Sequence, residues 1–173
     1  MMEHEQGFHS GAKRMVDLQK RLPNGELGIY LVGKKFFRVE QQPKGNPAYV
    51  SDKKNVVTSF ILPKHYGNLG FLAHNHLAGK FFLELELGDE IILLPEYGEF
   101  MNYRVTTVQK YRALQPRDPR STFINLQTNR QCGAGEVFRQ VYMGDEHMVL
   151  QTCLAKDNIL EWGRVFYIAE PIE

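Results

Sequence analysis

Two cysteines, Cys132 and Cys153, are all that 173 residues contain. That is too few for a disulfide-stapled scaffold, and at most one bridge can form. Long apolar runs are also missing. The longest are only a few residues, such as Ile91-Ile92-Leu93-Leu94, whereas a membrane-spanning helix takes about 20 apolar residues. No excess of one charge exists either: 21 Lys and Arg face 20 Asp and Glu, for a net charge of +1. A basic face for nucleic acid is therefore not expected, and no block of like charge marks a tail. The opening MMEHEQGFHSGAKRMVDLQ lacks the apolar core of a secretory leader, so the chain as read is expected to be soluble. Internal repeats and low-complexity tracts are absent.

What remains is ordinary globular composition, with 43% apolar, 12% aromatic and 24% charged residues. A chain of this length can bury a core without staples, which excludes disorder and collagen-like structure. Residues 1–12 are polar and expected to be loose. Ser10 is placed to cap a short helix over residues 11–22, with Met15, Leu18 and Leu22 on one stripe. Pro23-Asn24-Gly25 reads as a turn. The division expected is an N-terminal arm with its helix over 1–25 and a β domain over 26–173.

From Leu27 onward the character is that of strands. Leu27–Val39, Val56–Leu62, Leu69–Ala73, Glu90–Leu94, Phe100–Val108, Met148–Cys153 and Val165–Ala169 are rich in β-branched and aromatic residues. Gly, Pro or Asn separates them, and such spacing indicates a mainly β barrel or sandwich. Phe81–Leu87 (FFLELEL) fits two readings. Leu83, Leu85 and Leu87 alternate with Glu84 and Glu86 as in a strand. Leu and Glu are also good helix formers, and Gly88 is a natural helix stop. Pro116 to Asp145 is weakly periodic and reads as a long loop before the last strands.

Chemistry centres on a few side chains. Cys153 ends an apolar run, where a thiol at a strand's end is open to a substrate and a nearby cation or His would activate it. A small buried hydrophobe is the bland alternative. Cys132 lies in Gln131-Cys132-Gly133-Ala134-Gly135 with no partner motif. His147 shares a strand with Cys153, yet six strand residues separate them by about 20 Å, so His147 is not its partner. His74-Asn75-His76 remains. Its two imidazoles at i and i+2 would share a strand face and could ligate a metal in a cupin-like module. That family's acid would follow the second His after three or four residues; those positions hold Lys80 and Phe81, and Glu84 comes later. No metal or other cofactor is expected.

The motifs together resemble the sortase family over roughly residues 56–171. Pro63-Lys64-His65-Tyr66-Gly67-Asn68, then Leu72-Ala73-His74-Asn75, Gly79, Phe82, Leu85 and Gly88-Asp89 look like the surroundings of the sortase histidine. Val149-Leu150-Gln151-Thr152-Cys153 is similar to the Thr-Leu-x-Thr-Cys strand. Arg164, eleven residues on, stands where sortases carry an arginine. Ala73 replaces the usual Gly before the histidine, and Val149 replaces the first Thr of the cysteine motif.

The resemblance implies a closed β-barrel of about eight strands with short helices, and a short helical connection over Gly79–Gly88. It implies a cysteine transpeptidase that cuts a Leu-Pro-x-Thr-Gly-like sorting signal and passes the acyl group to an amine acceptor. Cys153 would be the nucleophile, His74 the general acid and base, and Arg164 the oxyanion donor. Thr152 would line or support the site, and His76 would stand at the groove mouth. Phe123, Ile124 and Leu126 of the long loop would offer apolar surface to the signal. The implied partners are surface proteins bearing such a signal and a cell-wall or pilin amine, in an extracytoplasmic setting. A non-catalytic barrel, used only for binding or holding a metal on His74 and His76, is the alternative. Leu22-Pro23-Asn24-Gly25 also looks like a sorting signal without its Thr, though Pro-Asn-Gly is what turns use.

Overall fold

A computed structural model describes residues 2–23 and 25–173. Helix α1 spans Met2–Gln19, and the strands are β1 (Leu27–Leu31), β2 (Lys35–Gln41), β3 (Val56–Ser59), β4 (Leu69–Leu72), β5 (Glu90–Leu94), β6 (Met101–Ala113), β7 (Phe123–Asn125), β8 (Gln131–Cys132), β9 (Met148–Lys156) and β10 (Ile159–Pro171). Short helices α2 (Ile61–Lys64) and α3 (Gly79–Phe82) and the longer α4 (Ala134–Tyr142) lie between them. The sheet order is β10-β9-β4-β3-β2-β1-β5-β6-β7-β8, and a further β10–β6 pairing closes eight of these strands into a barrel. Closure removes the exposed edges that an open sheet would carry. The β7–β8 hairpin hangs from β6 outside the ring.

Period-two burial makes the barrel. Ile29, Leu31, Phe37, Val39, Ile91, Leu93, Leu150, Val165 and Tyr167 point inward to one core, as alternation along each strand requires. On β6 the inward set changes parity. Tyr103 and Val105 face in, the register with β10 then skips Thr106, and Val108 faces in beyond it. That bulge turns Tyr111 and Ala113 outward, where they join a second core with Phe123, Val137, Val141, Tyr142, Val149 and Phe166. Phe82 of α3 is fully buried and meets Phe37 edge-on, with ring centroids 6.4 Å apart. Such a pair adds roughly 0.5–1.5 kcal/mol to the burial itself.

Several expectations need correcting. The N-terminal helix starts at Met2, so Ser10 lies within it and is not its cap. Good helix formers such as Glu, Gln, Ala and Lys carry the helix through that stretch. Its expected stripe does bury: Met15, Leu18 and Leu22 pack with Tyr30 and Leu94 in a third core. Leu22 is thereby fixed beside β1 and β5, across the barrel from β9, so the sorting-signal-like segment is not in the groove. Asn24 itself lies outside the described residues.

Ile61 and Leu62, expected at the end of a strand, open α2 with Pro63 in its first turn. The stretch expected as a long loop carries β7, β8 and α4. In α4, Val137 with Val141 and Phe138 with Tyr142 stand four apart, the spacing of a helix face. Phe81–Leu87 resolves as the end of α3 followed by turns, in agreement with the helical connection. Strand β9 also continues past Cys153 to Lys156. Asp157 and Asn158, with φ of 52° and 62°, form a two-residue turn of the type that suits a tight hairpin.

Candidate active site

Three neighbouring strands set three side chains in one row. β4 and β9 run parallel with Leu72 level with Gln151, and the Ala73 N–H donates to the Gln151 carbonyl at 3.2 Å. His74 follows at once, two residues beyond Leu72, as Cys153 is two beyond Gln151, so extending the ladder's register sets His74 beside Cys153. On the other side β10 runs antiparallel, with Arg164 the direct partner of Cys153. Directly paired residues share a sheet face, with Cα atoms about 4.5–5.5 Å apart. Leu150 points into the barrel and Val149 into the outer core, so Gln151 and Cys153 face outward. His74, Cys153 and Arg164 therefore stand side by side on the outer wall.

The histidine is held through its backbone. The His74 carbonyl accepts from the N–H groups of Leu77 (3.0 Å) and Gly79 (2.9 Å). Thr152, 3% exposed, donates its hydroxyl to the Ala73 carbonyl at 2.7 Å. Gly79 makes this approach possible: a Cβ there would lie 2.7 Å from the His74 carbonyl and 2.8 Å from that of Ala73, and would also strike the Thr152 hydroxyl. Asn75 donates to the Leu160 carbonyl at 2.8 Å, tying the loop to β10. His76 is exposed and stacks on His74, with centroids 5.5 Å apart and planes at 29°. Among the described residues, no group of three His, Cys, Asp or Glu side chains is placed to hold a metal ion, so His74 and His76 stand as a pair.

Arg164 is fixed by main-chain oxygens. Its Nη1 donates to the carbonyls of Glu161 (2.8 Å) and Gly163 (3.0 Å), and its Nη2 to that of Pro116 (2.8 Å). The guanidinium lies over the Phe123 ring, 5.9 Å from its centroid. A guanidinium has five N–H groups, so three bonds hold the plane and leave donors to offer. Pro116 also belongs to an open cleft of about 630 Å³, walled by residues 115–119 and Ile159.

Electrostatics at the sulfur are opposed. Burial pushes the Cys153 thiol above its ordinary value, the Arg164 charge pulls it down, and Glu161 pushes it up again. Burial dominates, so the group is held as a thiol, and Arg164 opposes that shift.

The remaining expectations fall unevenly. Thr152 is a buried support for the loop before His74. Phe123 is 5% exposed and forms the bed under Arg164 instead of an open groove wall. Ile124, next along β7, faces the opposite way by strand alternation, and Leu126 is exposed at the turn after it. These last two are not brought to the row. His147 is buried, its ring nitrogens 2.6 and 2.7 Å from the carbonyls of Asp145 and Val141. Cys132 is buried in the outer core. Sequence reasoning passed over Tyr142, which donates its hydroxyl to Gln151 at 2.5 Å beside the row, and Pro116. The four-residue spacing in α4 could have signalled the first.

No protein-family model and no curated protein matches the chain. Solved structures do. The chain superposes on the sortase D5 transpeptidase of Clostridium perfringens with a TM-score of 0.52 at 15% identity, covering 100% of this chain and 96% of that one. Sortase C1 from Streptococcus suis gives a TM-score of 0.56 at 14% identity over 98% and 82% of the two chains. Sortase A of Listeria monocytogenes gives 0.53 at 12% identity over 87% and 89%. The chain has the sortase fold.

Proposed function

We propose that the protein is a cysteine transpeptidase acting on a Leu-Pro-x-Thr-Gly-like sorting signal. The observation that carries this reading is the row of His74, Cys153 and Arg164 across β4, β9 and β10 on a sortase barrel. Cys153 Sγ attacks the carbonyl carbon of the Thr-Gly peptide bond, and its proton passes to His74. Arg164 donates to the carbonyl oxygen as it becomes an oxyanion, a task suited to a fixed, permanently charged fork. The C–N bond then breaks, His74 protonates the departing amine, and a thioester remains. An incoming amine gives a proton to His74 and attacks the thioester, the C–S bond breaks as the new amide forms, and His74 returns the proton to Cys153 Sγ.

The substrates in this reading are surface proteins carrying a C-terminal signal, and the acceptor is an amine of the cell wall or of a pilin. The work is extracytoplasmic. No described helix is long and apolar enough to cross a membrane.

Mass spectrometry after mixing the protein with signal peptides tests the reading. A thioester adduct should form on Cys153 and be lost in Cys153→Ala with the fold intact. Activity that survives Cys153→Ala but not Cys132→Ala would overturn it. A peptide library screened with and without amine nucleophiles then defines signal and acceptor.

A further inference from the structure

From outside its own hairpin the guanidinium of Arg164 rests on the Phe123 ring and donates to the Pro116 carbonyl, and the placing of that carbonyl has a visible cause. Pro116 lies in the connection between β6 and β7, whose ends are knotted together. Leu114 N–H donates to the Thr122 carbonyl at 2.9 Å. Ser121, fully buried, accepts the Gln115 N–H on its hydroxyl oxygen at 2.9 Å and donates to the Thr122 carbonyl at 2.7 Å. The Gln115 side chain returns the contact by accepting the Thr122 N–H at 2.9 Å. Within the knot, Asp118 N–H reaches the Gln115 carbonyl and Ser121 N–H the Asp118 carbonyl, each at 3.0 Å. Pro116 immediately follows the residue that Ser121 grips.

From this geometry we infer that Ser121, with Gln115, is a positioning residue for Arg164, acting through the Pro116 carbonyl. The inference rests on the reading of Arg164 as the oxyanion donor. A buried hydroxyl with both its donor and acceptor functions used holds a short loop far more firmly than a surface contact does. Losing it would free the Pro116 carbonyl, and the guanidinium would keep as hydrogen-bond partners only the carbonyls of its own strand. Its plane would then no longer be set against Cys153.

The test reads the thiol directly, so it does not depend on any peptide being a substrate. The rate of iodoacetamide alkylation of Cys153 is followed against pH by mass spectrometry in the full chain. The groups facing this sulfur are Arg164 and Glu161 from β10 and His74 from the end of β4. In Ser121→Ala the profile should move to higher pH, with the rate at pH 7 falling about three- to tenfold, as a displaced cation requires. The same change should have no further effect in an Arg164→Ala background.

A wild-type profile in folded Ser121→Ala would overturn the inference, as would an equal shift in the Arg164→Ala background. Gln115→Ala, at an exposed position, carries the same expectation should Ser121→Ala not fold by circular dichroism. With a cleaved signal peptide, kcat should fall and KM hold. If the wild type forms no adduct with any peptide, the functional reading fails while the alkylation profiles still decide the inference.

Discussion

Arg164 stands directly opposite Cys153 in the β9–β10 ladder, yet three of its N–H groups are spent on carbonyls of Glu161, Gly163 and Pro116. Charge and orientation are thus separate contributions of one side chain. Arg164→Lys keeps a cation beside the sulfur but cannot span three carbonyls in one plane. It should leave the thiol's ionisation close to wild type while lowering turnover of a signal peptide by about 10²-fold. Arg164→Ala should lose both. Equal alkylation profiles for wild type and Arg164→Ala would show that the charge does not act on Cys153.

His74 and His76 stack, but it is His74 that directly extends the β4–β9 register towards the nucleophile. His74→Ala should reduce thioester formation by about 10²–10⁴-fold, the range of a lost acid–base group. His76→Ala should cost only the stacking contact, a few-fold at most. Equal losses in the two variants, or zinc copurifying in proportion to both imidazoles, would favour the metal-binding reading.

Gly79 is the tightest point of the histidine loop. A methyl there meets the carbonyls of His74 and Ala73 as well as the Thr152 hydroxyl. Gly79→Ala should therefore destabilise by about 1–3 kcal/mol, as overpacking does, and displace His74 along with it. Thr152→Ala alone should cost about 1 kcal/mol for its hydrogen bond to Ala73. Because two of the three clashes are with backbone, the double variant should not recover the melting temperature of Thr152→Ala. Full recovery would place the clash on the hydroxyl alone.

Much of this was legible in the residues. Leu27–Leu31, Glu90–Leu94 and Met148–Cys153 are marked as strands by short apolar runs between breakers, because both faces of each are covered: Ile29, Leu93 and Leu150 lie inside the barrel, and Tyr30, Leu94 and Val149 lie in the outer cores. His74, Cys153 and Arg164 could be picked out by motif. Their arrangement in a row could not, since it depends on a parallel β4–β9 pairing between segments nearly 80 residues apart in sequence, which local pattern does not encode. Helix α4 was missed for a different reason. Its short apolar face sits among Gly133, Gly135 and Arg139, whose loop character masks a nine-residue helix. The N-terminal boundary failed because Ser10 is a good cap in isolation, while its neighbours favour continuing the helix.

Alkaline pH gives an independent measure of the barrel's interior. Burial raises the Tyr167 phenol from its usual value to about 12, since the charged form would have to sit among the apolar residues inside the ring. A group whose folded pKa is raised favours the folded state while it is protonated. Its contribution is complete below about pH 10, the unfolded value, and disappears as pH climbs towards 12. Tyr103, Tyr111 and Tyr142 are shifted the same way by burial. The melting temperature should therefore decline across that window, and Tyr167→Phe, which keeps the ring and removes the titrating hydroxyl, should decline less steeply. Parallel curves for the two proteins would mean that Tyr167 reaches water in the folded state and that the barrel is more open at β10 than its packing indicates.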